Sequence, residues 1–450
     1  MRPAAFYLQP VACNLQLFTC GLQLIFAQMQ FNHIIGQSDT KQHLAEMVQH
    51  NRLSHALLFL GREGCGALSL ALAFAQYIVC DTITGRAAAA APGPGPSLFG
   101  EEPASQPSTA SRQLPPDSCG ACPSCSKNQK MVHPDIHFSY PVVSRKSGDK
   151  PVSTDYSSEW REFVQQYPYG NAYDWLQFIG AENKQGNITA HECNDIIRKL
   201  NLKSFESNHK ILIMWMPEYL GNEGNKLLKL IEEPPPDTLF ILVAENESLV
   251  LPTILSRCQL IKIPALETAD IAEALTSRAK LSPDQARQTA GISDGNYREA
   301  LQLLQHADED WQNLLREWLN ATLKTGPAAQ VKWIEDISKQ GREKQKQFLR
   351  YFNHLLEQSI RLRALGPSTG SGQAGGSPLH NSLASMPEKE RDFAGRLNKL
   401  ADINQQKAII EELDKASYYI ERNANAKMLF HALTIKLYHI IADKSLILVN

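Results

Sequence analysis

The chain contains 450 residues, more than one ordinary domain holds, so roughly two to four domains are expected. Its 45 lysines and arginines are balanced by 47 aspartates and glutamates. This net charge of -2 argues against a dedicated nucleic-acid-binding protein, which usually has a basic excess. The nine cysteines are too sparse for the disulfide framework of a small secreted protein, which favours a reduced, cytoplasmic setting.

The first 28 residues differ from the rest of the chain. Their mildly apolar stretch, residues 11–30, is interrupted by Asn14, Gln16 and Gln23, and Arg2 is the single basic residue before it. Such a segment is too polar for a membrane-spanning helix, and it lacks the basic head of a signal peptide. We interpret residues 1–28 as a non-native N-terminal extension, with Met29 as the natural start.

From residue 56 onward, short apolar runs typical of buried strands alternate with helical patterns. The predicted strands are residues 56–60, 211–216, 239–243 and 261–263. The predicted helices between them are residues 68–79 and 225–233. This alternation predicts an α/β domain with a parallel sheet that is covered on both faces. Beyond about residue 265 the pattern is helical, with predicted helices at residues 269–278, 297–306, 311–324 and 344–365.

Two stretches are rich in alanine, glycine, proline and serine and cannot build a core. They are residues 85–118 and residues 367–377. We expect both to be loops inserted into folded domains.

The turn between the first predicted strand and its helix has the context of a phosphate-binding loop. Gly61 and Gly66 match the two glycines of the pattern G-x-x-x-x-G-K-[ST], and Gly64 lies between them. Ala67 replaces the lysine that reaches the β- and γ-phosphates, and Leu68 replaces the hydroxyl that binds Mg²⁺. The backbone amides could still bind an anion, so passive nucleotide binding stays open, as does a plain glycine turn.

The end of the second predicted strand also lacks the groups that an ATPase needs. In an active P-loop ATPase this strand ends in an acidic pair that binds Mg²⁺ and activates water. Here Trp215 and Met216 stand at the end of the strand, and Glu218 is displaced by two positions. Both halves of a hydrolytic site are therefore missing, and ATP hydrolysis by this chain is not expected.

Two further motifs carry a family resemblance. Residues 227–235 read LLKLIEEPP, and residues 251–259 read LPTILSRCQ after the next predicted strand. At these motifs the chain resembles the clamp-loader branch of the AAA+ family, as it also does at residues 31–37 and 295–301. The resemblance covers about residues 30–305 closely and the helical remainder more loosely.

The resemblance implies a fold and a domain plan. The expected fold is a RecA-like α/β AAA+ core with a parallel sheet, then a helical lid and an all-α collar. The expected boundaries are residues 29–264 for the core, with an inserted module at about 80–140, residues 265–326 for the lid, and residues 327–450 for the collar, with a flexible insert at 366–386.

The resemblance also implies a role. Clamp loaders form five-membered rings that open a sliding clamp and close it around primed DNA. In a non-hydrolysing member, the arginine of the SRC motif projects into the ATP site of the neighbouring motor subunit. By position this residue is Arg257, between Ser256 and Cys258, and a planar, permanently charged guanidinium suits a γ-phosphate. The alternative is an ion pair of Arg257 within its own domain.

Further expectations follow from the same resemblance. The implied partners are the motor (gamma/tau) and delta subunits, the sliding clamp and primed DNA, within a DNA polymerase holoenzyme and without a membrane. Arg298 matches the arginine of the family's second sensor motif, which contacts nucleotide in active members. Because the loop lacks its lysine, we expect a structural role for Arg298.

A cysteine cluster predicts a metal site. Cys119, Cys122 and Cys125 offer three thiolates at the short spacing typical of structural zinc sites. Related clamp-loader subunits carry a zinc module at this point, so the resemblance implies Cys80 as the fourth ligand. The insert lengthens the interval after Cys80, but the entropy of loop closure grows only slowly with length. His133 is another candidate for the fourth ligand, and free or redox-active thiols are the alternative to zinc.

Two functions of other classes remain open. The chain could be an active motor ATPase of the same loader, although the substitutions in both halves of the hydrolytic site argue against it. It could also be a zinc-dependent nucleic-acid-binding module, for which Lys127 and Lys130 supply basic charge near the cysteines. The near-neutral charge of the whole chain weakens this second alternative.

Overall fold

The computed structural model describes residues 29–86, 116–146, 148–181, 184–305, 311–365, 388–421 and 424–442. The predicted N-terminal extension and the insert at 367–377 lie outside these residues, as does most of the insert at 85–118. The chain divides into two compact units, residues 1–283 with 294–298 and residues 284–293 with 299–450. Among the helices of the described residues, none is long and apolar enough to cross a membrane.

The first unit is built on a sheet of five parallel strands in the order β2-β3-β4-β1-β5. The strands are β1 Ala56–Gly61, β2 Ile136–Ser139, β3 Lys210–Trp215, β4 Thr238–Ala244 and β5 Gln259–Ile263. In the register of the centre, Leu58 lies opposite Leu242 of β4 and Leu260 of β5. The four predicted strands and their parallel arrangement are confirmed.

Two details of the sheet differ from the prediction. β2 was not predicted, because it is a four-residue edge strand whose central His137 and Phe138 are only half-buried. β3 ends at Trp215, one residue earlier than predicted, because Met216 has a left-handed backbone with φ of +60°. A left-handed residue cannot continue an extended strand.

The α-helices of the described residues follow the predicted alternation in the first part of the chain and then dominate. Up to residue 305 they are α1 Ser38–Gln49, α2 Ala67–Val79, α3 Asp81–Thr84, α4 Pro123–Gln129, α5 Ser157–Gln166, α6 Ala172–Phe178, α7 Ala190–Leu200, α8 Asn225–Glu232, α9 Pro252–Leu255, α10 Thr268–Arg278, α11 Pro283–Ile292 and α12 Tyr297–Gln305. Beyond residue 310 they are α13 Trp311–Asn320, α14 Pro327–Ser338, α15 Arg342–Leu365, α16 Glu388–Leu400, α17 Ile403–Glu421 and α18 Ala426–Ala442.

Shorter turns join these elements. Single turns of 3-10 helix occur at Phe31–His33, Ser153–Tyr156, Pro217–Tyr219, Gly221–Gly224 and Glu247–Leu249. The helix predicted over 311–324 is interrupted, since α13 ends at Asn320 and continues as a π-helical turn, Ala321–Thr325.

Both faces of the sheet are covered, as the apolar runs predict. Side chains alternate between the faces of a strand, so Leu57 and Phe59 of β1 join one apolar cluster while Ala56 and Leu58 join another. The first cluster includes α2, in which every residue except Ser69 is buried. The second includes α7, α8 and α9. The first unit is therefore a three-layered α/β domain whose central helix follows the glycine-rich loop.

The second unit is helical throughout its described residues. Its apolar core is centred on Trp318 and Trp333, whose rings stack with centroids 4.9 Å apart and an interplanar angle of 5°. The Trp318 indole N–H donates to Thr434 Oγ1 at 3.0 Å, so the buried polar atom of the ring has a partner. The all-α C-terminal part of the predicted fold is confirmed.

Candidate functional site

The lysine-free loop connects β1 to α2 at the carboxyl edge of the sheet, where α/β proteins bind their ligands. Gly64 and Gly66 adopt left-handed backbones with φ of +72° and +86°. Ala67 and Leu68, the first residues of α2, are 8% and 5% exposed. The two positions that carry a lysine and a hydroxyl in an active ATPase thus carry buried apolar side chains, which can bind neither phosphate nor Mg²⁺.

Tyr169 fills the space beside this loop. Its ring lies so close to Gly66 that a Cβ atom on the glycine would be 2.7 Å from Tyr169 Cε1. The Ile35 N–H donates to the Tyr169 hydroxyl at 3.0 Å, and burial raises the pKa of that hydroxyl. The cavity left between the loop and the ends of β3 and β4 is about 20 Å³, which is room for about one water molecule.

Arg298 forms ion pairs that connect the glycine-rich loop to α6. Its Nη1 donates to Glu63 Oε1 at 2.8 Å, and its Nε and Nη2 form a bidentate pair with Asp174 at 2.5 and 2.6 Å. The three side chains are 5%, 16% and 12% exposed in the order Arg298, Glu63 and Asp174. Since Glu63 belongs to the loop itself, its carboxylate takes up the guanidinium that would face a nucleotide phosphate in an active relative.

The backbone next to Arg298 also contacts the glycine-rich loop. The Tyr297 N–H donates to the Gly64 carbonyl at 3.2 Å. A Cβ atom at Gly64 would be 1.8 Å from Asn296 Oδ1, so only glycine allows this approach. We name the group formed by Glu63, Asp174 and Arg298, with these backbone contacts, the loop clasp.

Glu218 ties the ends of two strands together. Its Oε1 accepts the backbone N–H groups of Glu245 and Asn246, at 2.6 and 2.9 Å, just after β4. Burial raises the pKa of this carboxyl group. Trp215 and Met216, which occupy the positions of the missing acidic pair, are 2% exposed. The end of β3 is therefore apolar and packed where an ATPase presents its metal-binding carboxylates.

Arg257 lies at the surface of the first unit, after α9. Its Nε forms an ion pair with Glu232, and its Nη1 donates to the Thr253 carbonyl at 2.7 Å and to Ser256 Oγ at 3.0 Å. About a third of the Arg257 side chain, 34%, remains exposed. The neighbouring Cys258 is an ordinary half-buried thiol, and burial raises its pKa to about 11. Arg257 thus has a partner in its own domain, as one alternative held, yet part of its side chain remains exposed.

The four predicted cysteine ligands come together. The Sγ atoms of Cys80, Cys119, Cys122 and Cys125 all lie within 4.8 Å of one another. Cys119 Sγ is 3.6 Å from Cys80 Sγ and 4.0 Å from Cys125 Sγ. Zinc–sulfur bonds of 2.3 Å at tetrahedral angles place sulfurs about 3.8 Å apart, so this thiol set fits a four-coordinate metal ion.

Backbone N–H groups point at three sulfurs of this cluster. The N–H groups of Cys119, Cys122 and Cys125 point at the sulfurs of Cys80, Cys119 and Cys122 respectively, each at 3.4 Å. The pKa of Cys80 is lowered to about 4, first by the Cys125 thiol and then by backbone donors, against the effect of burial. Burial raises the pKa of Cys122 to about 11, and the hydrogen bond with Cys80 raises the pKa of Cys125. His133 is not among the ligand atoms that come together, and its Nδ1 accepts the Asp135 N–H at 3.2 Å. Among the described residues, the fourth sulfur comes from Cys80.

The sequence and the structure differ in what they reveal about the loop. The predicted residues Gly61, Gly64, Gly66 and Arg298 do come together in space. Tyr169, Glu63 and Asp174, which pack against the loop or pair with Arg298, were not predicted. Glu63 occupies a variable position of the loop pattern, and Tyr169 and Asp174 belong to a segment without a local motif, so only the packing of residues 167–174 and 295–298 against the loop assigns them a role.

Residues 36–91 and 105–267 match a family model described as "DNA polymerase III, delta subunit". The chain is 26% identical over 261 residues to DNA polymerase III subunit delta' of Bacillus subtilis (strain 168), covering 58% of this chain and 56% of that protein. It is 23% identical over 341 residues to subunit tau of the same organism, covering 74% of this chain and 47% of that protein. The match therefore spans about half the length of these relatives.

A solved structure of a DNA polymerase III gamma-subunit-related protein from Thermotoga maritima aligns with 90% of this chain and 99% of its own. Its identity of 12% and TM-score of 0.33 are too low to bear on function.

Proposed function

Since this chain belongs to the family of DNA polymerase III clamp-loader subunits, we propose that it is the delta-prime-like subunit that does not itself hydrolyse ATP. In this proposal it assembles with the motor (gamma/tau) and delta subunits. The assembly loads a sliding clamp onto primed DNA in the cytoplasm, as part of the DNA polymerase holoenzyme. The subunit contributes Arg257 to the ATP site of the adjacent motor subunit.

The filled cleft carries the first half of the proposal. Tyr169 packs against Gly66, and the loop clasp neutralises the arginine that would otherwise face a phosphate. A nucleotide would have to displace a buried aromatic ring and break a buried ion pair before it could bind. Both steps cost free energy. The loop has neither a lysine nor a metal ligand whose contacts with the nucleotide could offset that cost.

The position of Arg257 supports the second half. Its guanidinium is partly exposed, permanently charged and held at the surface by exposed partners. An exposed ion pair such as that with Glu232 contributes little to stability, and it occupies only Nε, so a phosphate could contact the guanidinium without displacing Glu232. An arginine supplied in trans stabilises the charge that develops in phosphoryl transfer.

The isolated chain is expected neither to bind nor to hydrolyse ATP. Titration calorimetry with Mg-ATP should show no saturable heat up to about 1 mM, the upper end of usual substrate affinities. Phosphate release should equal the buffer background, while the purified motor subunit serves as a positive control. The competing function, an active motor ATPase, is favoured by the similarity to subunit tau. Saturable binding together with turnover would decide for that competing function.

We also propose that the cysteine cluster holds a structural zinc ion. Zinc would join Cys80, at the end of α2, to the segment of Cys119, Cys122 and Cys125, and so close the module inserted after α2. Structural zinc of this kind contributes to folding, because its ligands come together only in the folded chain.

The zinc proposal predicts a stoichiometry. Protein purified without added metal should contain about one equivalent of zinc by mass spectrometry of the metal. Cys125→Ser should reduce this to less than half an equivalent, whereas Cys258→Ser should leave it unchanged, because Cys258 lies outside the cluster. Less than half an equivalent in the unaltered chain would rule out a zinc site, leaving free or redox-active thiols.

A further inference from the structure

The guanidinium of Arg257 is held by three acceptors of its own chain. Glu232 takes the Nε hydrogen, and the Thr253 carbonyl and Ser256 Oγ take the hydrogens of Nη1. No described residue accepts a hydrogen bond from Nη2. The bonds at Nε and Nη1 hold the guanidinium from two sides, and Nη2, with its two hydrogens, is left for a ligand.

We propose that Glu232 is a positioning residue, which orients the Arg257 guanidinium so that Nη2 is presented to a phosphate oxygen of the nucleotide on the neighbouring subunit. This inference rests on the proposed role of Arg257 as an arginine supplied in trans. Glu232 does not contact the nucleotide in this arrangement and acts only through Arg257.

Glu232 does not stabilise the helix in which it lies. It is the last residue of α8, where the helix macrodipole is negative and an acidic side chain is unfavourable. Its side chain is 43% exposed, so its ion pair with Arg257 adds little to the folded state. What the pair does achieve is to restrict a long side chain that would otherwise sample many rotamers at the surface.

Restriction of this kind matters for catalysis more than for binding. A group that is already oriented when the transition state forms does not lose side-chain entropy at that moment. Of the three acceptors around Arg257, Glu232 alone carries a charge, and it can be replaced without altering the backbone. Its removal should therefore lower the rate of hydrolysis and leave the affinity of the motor subunit for ATP almost unchanged.

The test uses the full chain assembled with its motor and delta subunits, with Mg-ATP and primed DNA. Glu232→Ala should lower kcat for DNA-stimulated hydrolysis by roughly three- to tenfold, with KM for ATP little changed. Glu232→Gln should recover part of the rate, because its amide oxygen can still accept from Nε. The matched control is Glu233→Ala, which removes the adjacent exposed carboxylate and should leave the rate unchanged.

A double-mutant cycle separates this inference from the function on which it rests. If Glu232 acts through Arg257, then Glu232→Ala should have no further effect in the Arg257→Ala background. Additive effects of the two substitutions, or a rate in Glu232→Ala equal to or above that of the unaltered chain, would overturn the positioning role. An Arg257→Ala subunit with full activity would instead overturn the proposed arginine in trans, and the two failures are thus distinguishable.

Discussion

Replacing Arg257 by alanine is expected to slow ATP hydrolysis at the adjoining motor site by about 10³-fold or more, the usual contribution of an arginine supplied in trans. The guanidinium is the group that would neutralise charge on the transferred phosphoryl oxygens, and alanine leaves that charge uncompensated. Single-turnover hydrolysis by the assembled loader on primed DNA measures this step. Clamp loading should slow as well, because it depends on hydrolysis at the site.

Two further substitutions test whether the effect is specific to the guanidinium of Arg257. Arg257→Lys keeps the charge but loses the planar fork, so it should recover only a small part of the rate. Arg287→Ala is the matched control, since Arg287 also forms an exposed ion pair, with Asp284, and should have no effect on hydrolysis. Rates that stay unchanged in Arg257→Ala would refute the role of this residue in trans.

Replacing Arg298 by alanine is expected to destabilise the folded chain by about 3–5 kcal/mol. The substitution leaves the carboxylates of Glu63 and Asp174 without their guanidinium, and both side chains are largely buried. Charges left unpaired in a protein interior are among the most costly changes that a single substitution can produce. Urea denaturation followed by tryptophan fluorescence would measure the shift in midpoint.

A variant that removes all three charges of the loop clasp tests the same prediction. The triple variant Glu63→Gln, Asp174→Asn and Arg298→Met removes all three charges together, and it should recover most of the lost free energy of unfolding. Arg287→Ala again provides the comparison, because breaking an ion pair with side chains 63% and 91% exposed should change stability by only about 0.5 kcal/mol or less. An Arg298→Ala chain as stable as that control would mean that the clasp does not contribute to the fold.

The sheet and its central helix could be predicted because their signal is local. Each buried strand is a continuous apolar run, and the loop before α2 lies between such a run and a helix without glycine or proline. The cysteine cluster was equally accessible, since three of its members fall within seven consecutive residues. Cys80 was harder to assign as a ligand, because its distance from the other three cysteines depends on the turn after α2.

The closing of the cleft could not be predicted for a physical reason. Tyr169 and Asp174 lie about a hundred residues from the loop along the chain, and Arg298 lies still further away. A tyrosine next to a proline, or an aspartate at the start of a helix, has many ordinary explanations. Only the folded chain reveals that these side chains converge on Gly66 and Glu63. β2 was missed for a related reason, because an edge strand of four residues carries too little apolar periodicity.

Tyr169 has a consequence for how this subunit could change over evolutionary time. Substituting Ala67 by lysine and Leu68 by serine would restore both positions of the phosphate-binding pattern, yet the Tyr169 ring would still pack against Gly66. On the proposed function, recovery of nucleotide binding would therefore need changes both in the loop and at Tyr169, about a hundred residues away along the chain. Under the proposed function, losing nucleotide binding therefore takes fewer substitutions than regaining it.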